Sequence, residues 1–438
     1  MGVLLAGGAA AAEPEAPWVD ARLSATVQVF EQGLVPGLPG ATTRVQPAYP
    51  FTLTAFARGG LVEVPKVGGE LTAELAAWGR VGPRDALLGD GDVTAAWAQY
   101  RRGPWRVRLG RQVTLPGASR YLRFDGISAG VSFGVFELDA YAGWVALPRW
   151  NRPRGAQLAG FVGDALLDPV LVEQQNRAGQ VTAGARAGVN LGAKLRAALA
   201  FHEQRDAAGL AYRVISADVL SRPTDWLSVG GRFSFDAASL GVPEARLWAD
   251  LLNEVAPVSL DYSFQNPALL LPKSSVLAAF GGVPWHELGG EASTRLPGGL
   301  KIGARLSGQL FEGTQLGGRG ALKLTWTPGL DGRLTFLSEA GRALIPPSGF
   351  TWLRVAARWR AGQRLYTSAD AALYLYDTKV RGHSSSVTGI ASLEWTPKPN
   401  VRALVSGVVM STPYAAFEAQ ALARLVMDLE PNSAAGDL

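Results

Sequence analysis

The chain has 438 residues, a formal charge of +5 and a pI of about 9.5; 47% of its residues are hydrophobic, yet its mean hydropathy is only +0.09. No window holds eighteen uncharged apolar residues, which excludes a transmembrane helix. The lack of cysteine excludes a disulfide scaffold and a thiolate metal site. An apolar chain without apolar runs must spread its apolar residues by alternation, as a β-barrel wall does.

The opening residues, MGVLLAGGAAAAEPEAPW, hold a short apolar run that ends in small residues before Glu13. Residues 1–18 are expected to be a signal-peptide remnant, or an N-terminal tail, because the basic n-region is missing. Residues 19–430 are expected to form a single barrel, and 431–438 a C-terminal tail.

From there apolar residues recur at period two. Leu23, Ala25, Val27 and Val29 read as a first strand, followed by Leu53, Ala55 and Ala57. Leu71, Ala73, Leu75 and Ala77 alternate with Glu70, Thr72 and Glu74. Trp105, Val107 and Leu109 then alternate with Arg106, Arg108 and Gly110, between the tight turn at Gly103-Pro104 and a longer Gly/Pro/Ser loop. Successive strand side chains point to opposite faces, so one face here is apolar and the other carries guanidinium groups.

The same stretch continues as Gly110-Arg111-Gln112, Gly117, Arg120 and Phe124-Asp125-Gly126. It resembles the GRQ to FDG segment of the alginate-export family of outer-membrane porins, over roughly 25 residues. The resemblance implies an outer-membrane channel with a basic lumen and a polyuronate substrate, with Arg111, Gln112, Arg120 and Asp125 as the motif positions. Arg111 and Asp125 are expected at the extracellular ends of neighbouring strands, as a rim salt bridge or as a solute contact.

Leu147 to Ala178 is the longest irregular segment, and Leu158 to Val172 within it is apolar. Folded into the barrel mouth it would form a constriction loop, carrying Asp164, Asp168 and Glu173 towards an Arg-lined wall. Packing on its neighbours above the rim is the alternative. Beyond it, Val181, Ala183, Ala185, Ala187 and Val189 alternate with polar and small residues, and Leu195, Ala197, Leu199 and Phe201 form the partner strand.

In the second half SRPTD (221–225), PGG (297–299), PGLDG (328–332), AGQ (361–363) and PKPN (397–400) mark short turns between alternating runs. The gaps between those pairs, as at 267–284 and 342–349, read as longer loops. The pattern predicts an all-β fold, a transmembrane antiparallel up-and-down β-barrel of about 18–22 strands. Short turns are expected to be periplasmic and long loops extracellular. Trp105, Trp326, Trp359 and Trp395 flank short turns in phase with the apolar face, where an aromatic girdle is expected.

The polar face should line the pore. Arg106, Arg108, Arg186, Arg196, Arg232, Arg305, Arg354, Arg358 and Arg360 fall in its phase, with fewer acids, among them Asp261, Glu287, Glu339 and Asp370. On the lipid face each arginine would cost about 2–4 kcal/mol. About half of these charges are expected to pair across strands and the surplus cations to leave a positive lumen.

No nucleophile elbow, phosphate loop or metal-ligand spacing is present, and His202, His286 and His383 lie on separate segments. His383-Ser384-Ser385-Ser386 could evoke a hydrolase but reads as a chance run. The basic residues are dispersed over many strands, unlike a nucleic-acid-binding patch. The reading is therefore a channel of the Gram-negative outer membrane, not an enzyme, with no cofactor and no nucleic-acid partner. It would sit in outer-membrane lipid and pass small anionic solutes or an anionic exopolysaccharide, the latter with periplasmic export components as partners. The alternative is a non-transport barrel with a structural or docking role in a larger surface machine.

Overall fold

The computed structural model describes residues 18–429, apart from 35–43, 49–50, 62, 65, 82–89, 115–121, 147–179, 207–208, 267–268, 270–282, 312–314, 330–331, 347, 381 and 414–416. The strands are β1 (Trp18–Leu34), β2 (Arg44–Ala48), β3 (Phe51–Leu61), β4 (Glu70–Val81), β5 (Asp90–Arg102), β6 (Trp105–Thr114), β7 (Leu122–Phe133) and β8 (Phe136–Val145). They continue with β9 (Val181–Asn190), β10 (Leu195–Asp206), β11 (Gly209–Thr224), β12 (Leu227–Asp236), β13 (Gly241–Leu251), β14 (Val258–Gln265), β15 (Trp285–Leu296) and β16 (Leu300–Phe311). The last are β17 (Gln315–Trp326), β18 (Leu334–Ile345), β19 (Ser348–Arg360), β20 (Leu365–Val380), β21 (His383–Lys398), β22 (Val401–Ser411) and β23 (Glu418–Leu429).

Every strand runs antiparallel to its neighbour, and β23 pairs back onto β1 over Ala21–Val29, which closes the sheet. β2 and β3 share one register against β1, with Phe30 opposite Ala48 and Val27 opposite Phe51. Residues 44–61 therefore act as one stave, and the barrel has 22. Such a ring, with strands about 4.8 Å apart and tilted by about 40°, is roughly 40–45 Å across at the backbone.

Burial is inverted relative to a soluble domain. Leu199, Leu288, Leu306, Leu316 and Leu322 are each more than 60% exposed, and all alternate with inward residues on the outer face of their strands. Bare in water, such a belt would forfeit about 25 cal/mol for every Å² of apolar surface. It is the hydrocarbon-facing surface of an outer-membrane barrel.

The ends of the belt differ. At the end holding Trp18 and Leu429 every connection is short, several being two-residue turns such as Gly103-Pro104 and Gly134-Val135. Trp105, Trp326, Trp359 and Trp395 stand there on the outer face, each about half exposed. Trp105 meets Phe133 edge-on at 6.1 Å, and Trp326 stacks on Phe336 at 5.6 Å. Amphipathic rings settle at headgroup level, so this is the girdle of one membrane interface, at the end where the sequence places the periplasmic turns.

At the opposite end the connections vary. The long ones join β8 to β9 and β14 to β15, but β10–β11 and β18–β19 are joined by two residues each. The expected long loop at 342–349 is thus a correction: β18 runs to Ile345 and β19 starts at Ser348. Pro346 follows β18 directly, and the irregular-looking sequence around it keeps its alternation. The segments around 51–62 and 126–146, which alternate only weakly, are full strands (β3, β7 and β8).

Candidate functional site

Strand register sorts the polar residues into faces. Arg106, Arg108, Arg186, Arg196, Arg232, Arg305, Arg354, Arg358 and Arg360 all alternate with lipid-facing neighbours, so their side chains point into the lumen. Many are neutralised across strands. Arg106 pairs with Asp139, Arg232 with Glu244 and Arg354 with Asp370. Arg186 reaches Asp218 at 3.0 Å, and Arg305 reaches Asp261 at 3.5 Å. Arg108 donates to Gln99 Oε1 at 2.7 Å and lies over the Trp97 ring at 4.2 Å. Among the described residues Arg196, Arg358 and Arg360 have no carboxylate partner.

The lumen wall is asymmetric. Between β6 and β13 several inward groups towards the extracellular end are almost wholly buried, including Gln112, Phe124, His202, Tyr212, Ser216, Ser234 and Asp236, whereas Arg106, Asp139, Arg186 and Asp218 further down stay partly exposed. Tyr141 Oη lies 2.6 Å from His202 Nδ1, and the Tyr141 ring packs on Phe124 at 5.3 Å. The expected constriction residues Asp164, Asp168 and Glu173, and the motif position Arg120, lie outside the described residues.

The opposite sector, β16 to β20, is open. Its inward face carries Lys301 and Arg305 on β16, Arg319 and Lys323 on β17, and Arg354, Arg358 and Arg360 on β19, set against Glu339 on β18 and Asp370 on β20. Glu339 sits opposite both Lys323 and Arg354 and accepts the Trp352 Nε1 proton at 3.0 Å. Trp352 belongs to an aromatic cluster that alternation alone does not reveal: Phe350 packs on Trp352 at 5.8 Å and on Tyr374 at 5.9 Å. Going inward from the extracellular end, the lumen face of β19 therefore reads Phe350, Trp352, Arg354, Ala356, Arg358, Arg360. The aromatic part is in the sequence, but it sits on the polar phase of the strand, where bulky rings attract no notice.

Such a wall offers flat apolar surface beside fixed positive charge. A solute with a planar or pyranose face and a carboxylate can stack and ion-pair at once, because rings and guanidinium groups share one strand face. Among the described residues no group of three His, Cys, Asp or Glu side chains is placed to hold a metal. His383 is exposed at the start of β21, and Ser386 donates to the Ser411 carbonyl at 3.1 Å, an ordinary wall contact.

Arg111 and Asp125 form a bidentate pair, with both contacts at 2.7 Å, on the outer face near the extracellular rim. Arg111 also lies 3.5 Å from Asp92, which Arg123 holds at 2.6 Å. Gln112 faces inward, donates to the Gly126 carbonyl at 3.2 Å and accepts from Ser128 at 2.6 Å. The motif thus ties β6 to β7 at the rim.

No family model matches the chain, so the likeness of residues 110–126 to alginate exporters stays confined to that segment. No curated protein matches it either. Among solved structures it is similar to the P pilus usher (PapC) translocation pore at 9% identity and a TM-score of 0.46, over 94% of this chain and 99% of that one. It is similar to the outer membrane protein OpdK of Pseudomonas aeruginosa at 10% identity and a TM-score of 0.44, over 94% and 99%. A BenF-like porin from Pseudomonas fluorescens Pf-5 aligns at 8% identity and a TM-score of 0.43, over 95% and 99%.

Proposed function

We propose that this barrel is an outer-membrane channel for anionic solutes, and that they travel along the open wall formed by β16 to β20. The observation that carries the reading is the excess of cations on that inward face, where Arg358 and Arg360 have no carboxylate partner among the described residues. In a water-filled lumen only a few Debye lengths wide, each about 10 Å at 0.1 M salt, such wall charge is partly unscreened and concentrates anions.

Within that class the substrate is a carbohydrate acid, either a small one or a polyuronate chain. Phe350, Trp352 and Tyr374 supply ring faces at the extracellular end of the track, and Arg358 and Arg360 supply successive carboxylate partners below them. The segment resembling alginate exporters supports the same substrate class.

The test is conduction in a planar bilayer under a KCl gradient. The reversal potential has the anion-selective sign, and oligomers of a uronic acid block the current at lower concentration than neutral oligosaccharides of equal length. A cation-selective channel, or none, would overturn the reading.

A further inference from the structure

The outer wall is hollowed at the extracellular end of β6 to β10. Ala142 and Ala183 present only methyl groups between Ile127, Trp144 and Phe201, which leaves a groove of about 1040 Å³ on the lipid-facing surface. Its floor and sides are almost entirely apolar, but its upper end is not. Glu203 and Arg205 line the mouth, and the two oxygens of Glu203 are both engaged, one by Arg205 and the other by Arg213 at 2.7 Å. Two guanidinium groups therefore share one carboxylate, and the Arg205 side chain is 58% exposed. On the other side of the groove Arg111 and Asp125 cancel.

This charge stands at the end of the belt opposite the tryptophan girdle, so it lies at headgroup level with the groove in hydrocarbon beneath it. The second outward charged cluster at this level shows the contrast. Arg342 bonds Asp377 at 2.5 and 2.6 Å and Thr351 at 3.1 Å, and is electrically balanced.

We propose that the groove is a binding site for an anionic phosphoglycolipid of the outer leaflet, with an acyl chain against Phe201, Trp144 and Ile127 and a phosphate on Arg205 and Arg213. A lipid is the occupant because the apolar hollow and the unbalanced cation adjoin each other along the membrane normal, the order in which an acyl chain and its phosphate run. A phosphate would complete the hydrogen-bonding capacity that one carboxylate leaves over on two guanidinium groups.

The test is native mass spectrometry of the detergent-solubilised barrel. The probes are a bis-phosphorylated hexa-acyl disaccharide lipid, the same lipid dephosphorylated, and inorganic phosphate. Wild type retains the phosphorylated lipid at least ten-fold better than the dephosphorylated one and does not retain inorganic phosphate. Retention falls about ten-fold in Arg205→Gln/Arg213→Gln and in Ala183→Trp, which fills the groove, while Glu203→Gln, which releases both guanidinium groups, raises it. SDS resistance before heating verifies that each variant is folded. Equal retention of the two lipids, unchanged retention in the folded Gln and Trp variants, or barrel dimers in place of lipid adducts would overturn the proposal.

Discussion

Arg354 and Asp370 are bound across β19 and β20, the guanidinium donating to both carboxylate oxygens, although Asp370 stands directly opposite Ala356 in the register. Asp370 is thus diagonal to both Arg354 and Arg358, and it takes only the first. This decides which charges shape the lumen field. Replacing Asp370 with Asn frees Arg354 and raises the anion-selective reversal potential, whereas Arg358→Gln with Arg360→Gln lowers it. Measurements in one KCl gradient give shifts of opposite sign for the two variants. Shifts of the same sign would place these side chains away from the conduction path.

The aromatic cluster makes a separable prediction. Trp352→Ala weakens block by a uronic-acid oligomer about two- to ten-fold, the equivalent of roughly 0.5–1.5 kcal/mol for one aromatic contact. It leaves the reversal potential unchanged, because no charge is altered. Concentration–block curves of single-channel current provide both readings.

Gly341 gives that indole its seat. A Cβ at this position would meet the Trp352 ring at 2.3 Å and the Gly320 carbonyl oxygen at 2.5 Å. Gly341→Ala should therefore displace Trp352 from Glu339, reproduce the loss of block, and lower stability by about 1–3 kcal/mol through overpacking. Tryptophan fluorescence and urea unfolding in vesicles report the two effects.

The two faces of one strand should respond differently to charge. Leu322, 62% exposed on the outer face of β17, should cost about 2–4 kcal/mol as Leu322→Arg. Thr325→Arg, on the lumen face of the same strand, should stay within about 0.5 kcal/mol. Equal losses in vesicle unfolding would mean that the faces have been assigned the wrong way round.

How much of this was legible in the sequence depended on the kind of contact. Alternation marked the strands, including the clear run from Val181 to Val189, because a wall between lipid and water requires one apolar face per strand. The same rule marked Trp105, Trp326, Trp359 and Trp395 as outward. Pairing was not legible: Arg354, Arg358 and Arg360 look equivalent along the strand, and only the register with β20 shows that Arg354 is already neutralised. The short step from Ile345 to Ser348 was hidden for a related reason, since so brief a connection leaves no polar stretch to notice. Nor could alternation predict the Phe350–Trp352–Tyr374 cluster, which depends on rings from adjacent strands meeting on the wet face.

The seam where Ala21 meets Leu429 has a kinetic consequence. Arg22 and Asp428, bonded across it, are 406 positions apart, so the ring cannot shut until the final strand is present. Until that moment β1 and β23 each expose an unpaired row of amide and carbonyl groups, which hydrocarbon does not tolerate and which other chains can capture. Assembly therefore has a committed last step: every other strand pair joins neighbours in the chain, and this one must wait for the whole polypeptide. Substitutions that weaken the β1–β23 pairing should slow closure far more than equal damage to any hairpin, leaving open sheets exposed to aggregation and proteolysis.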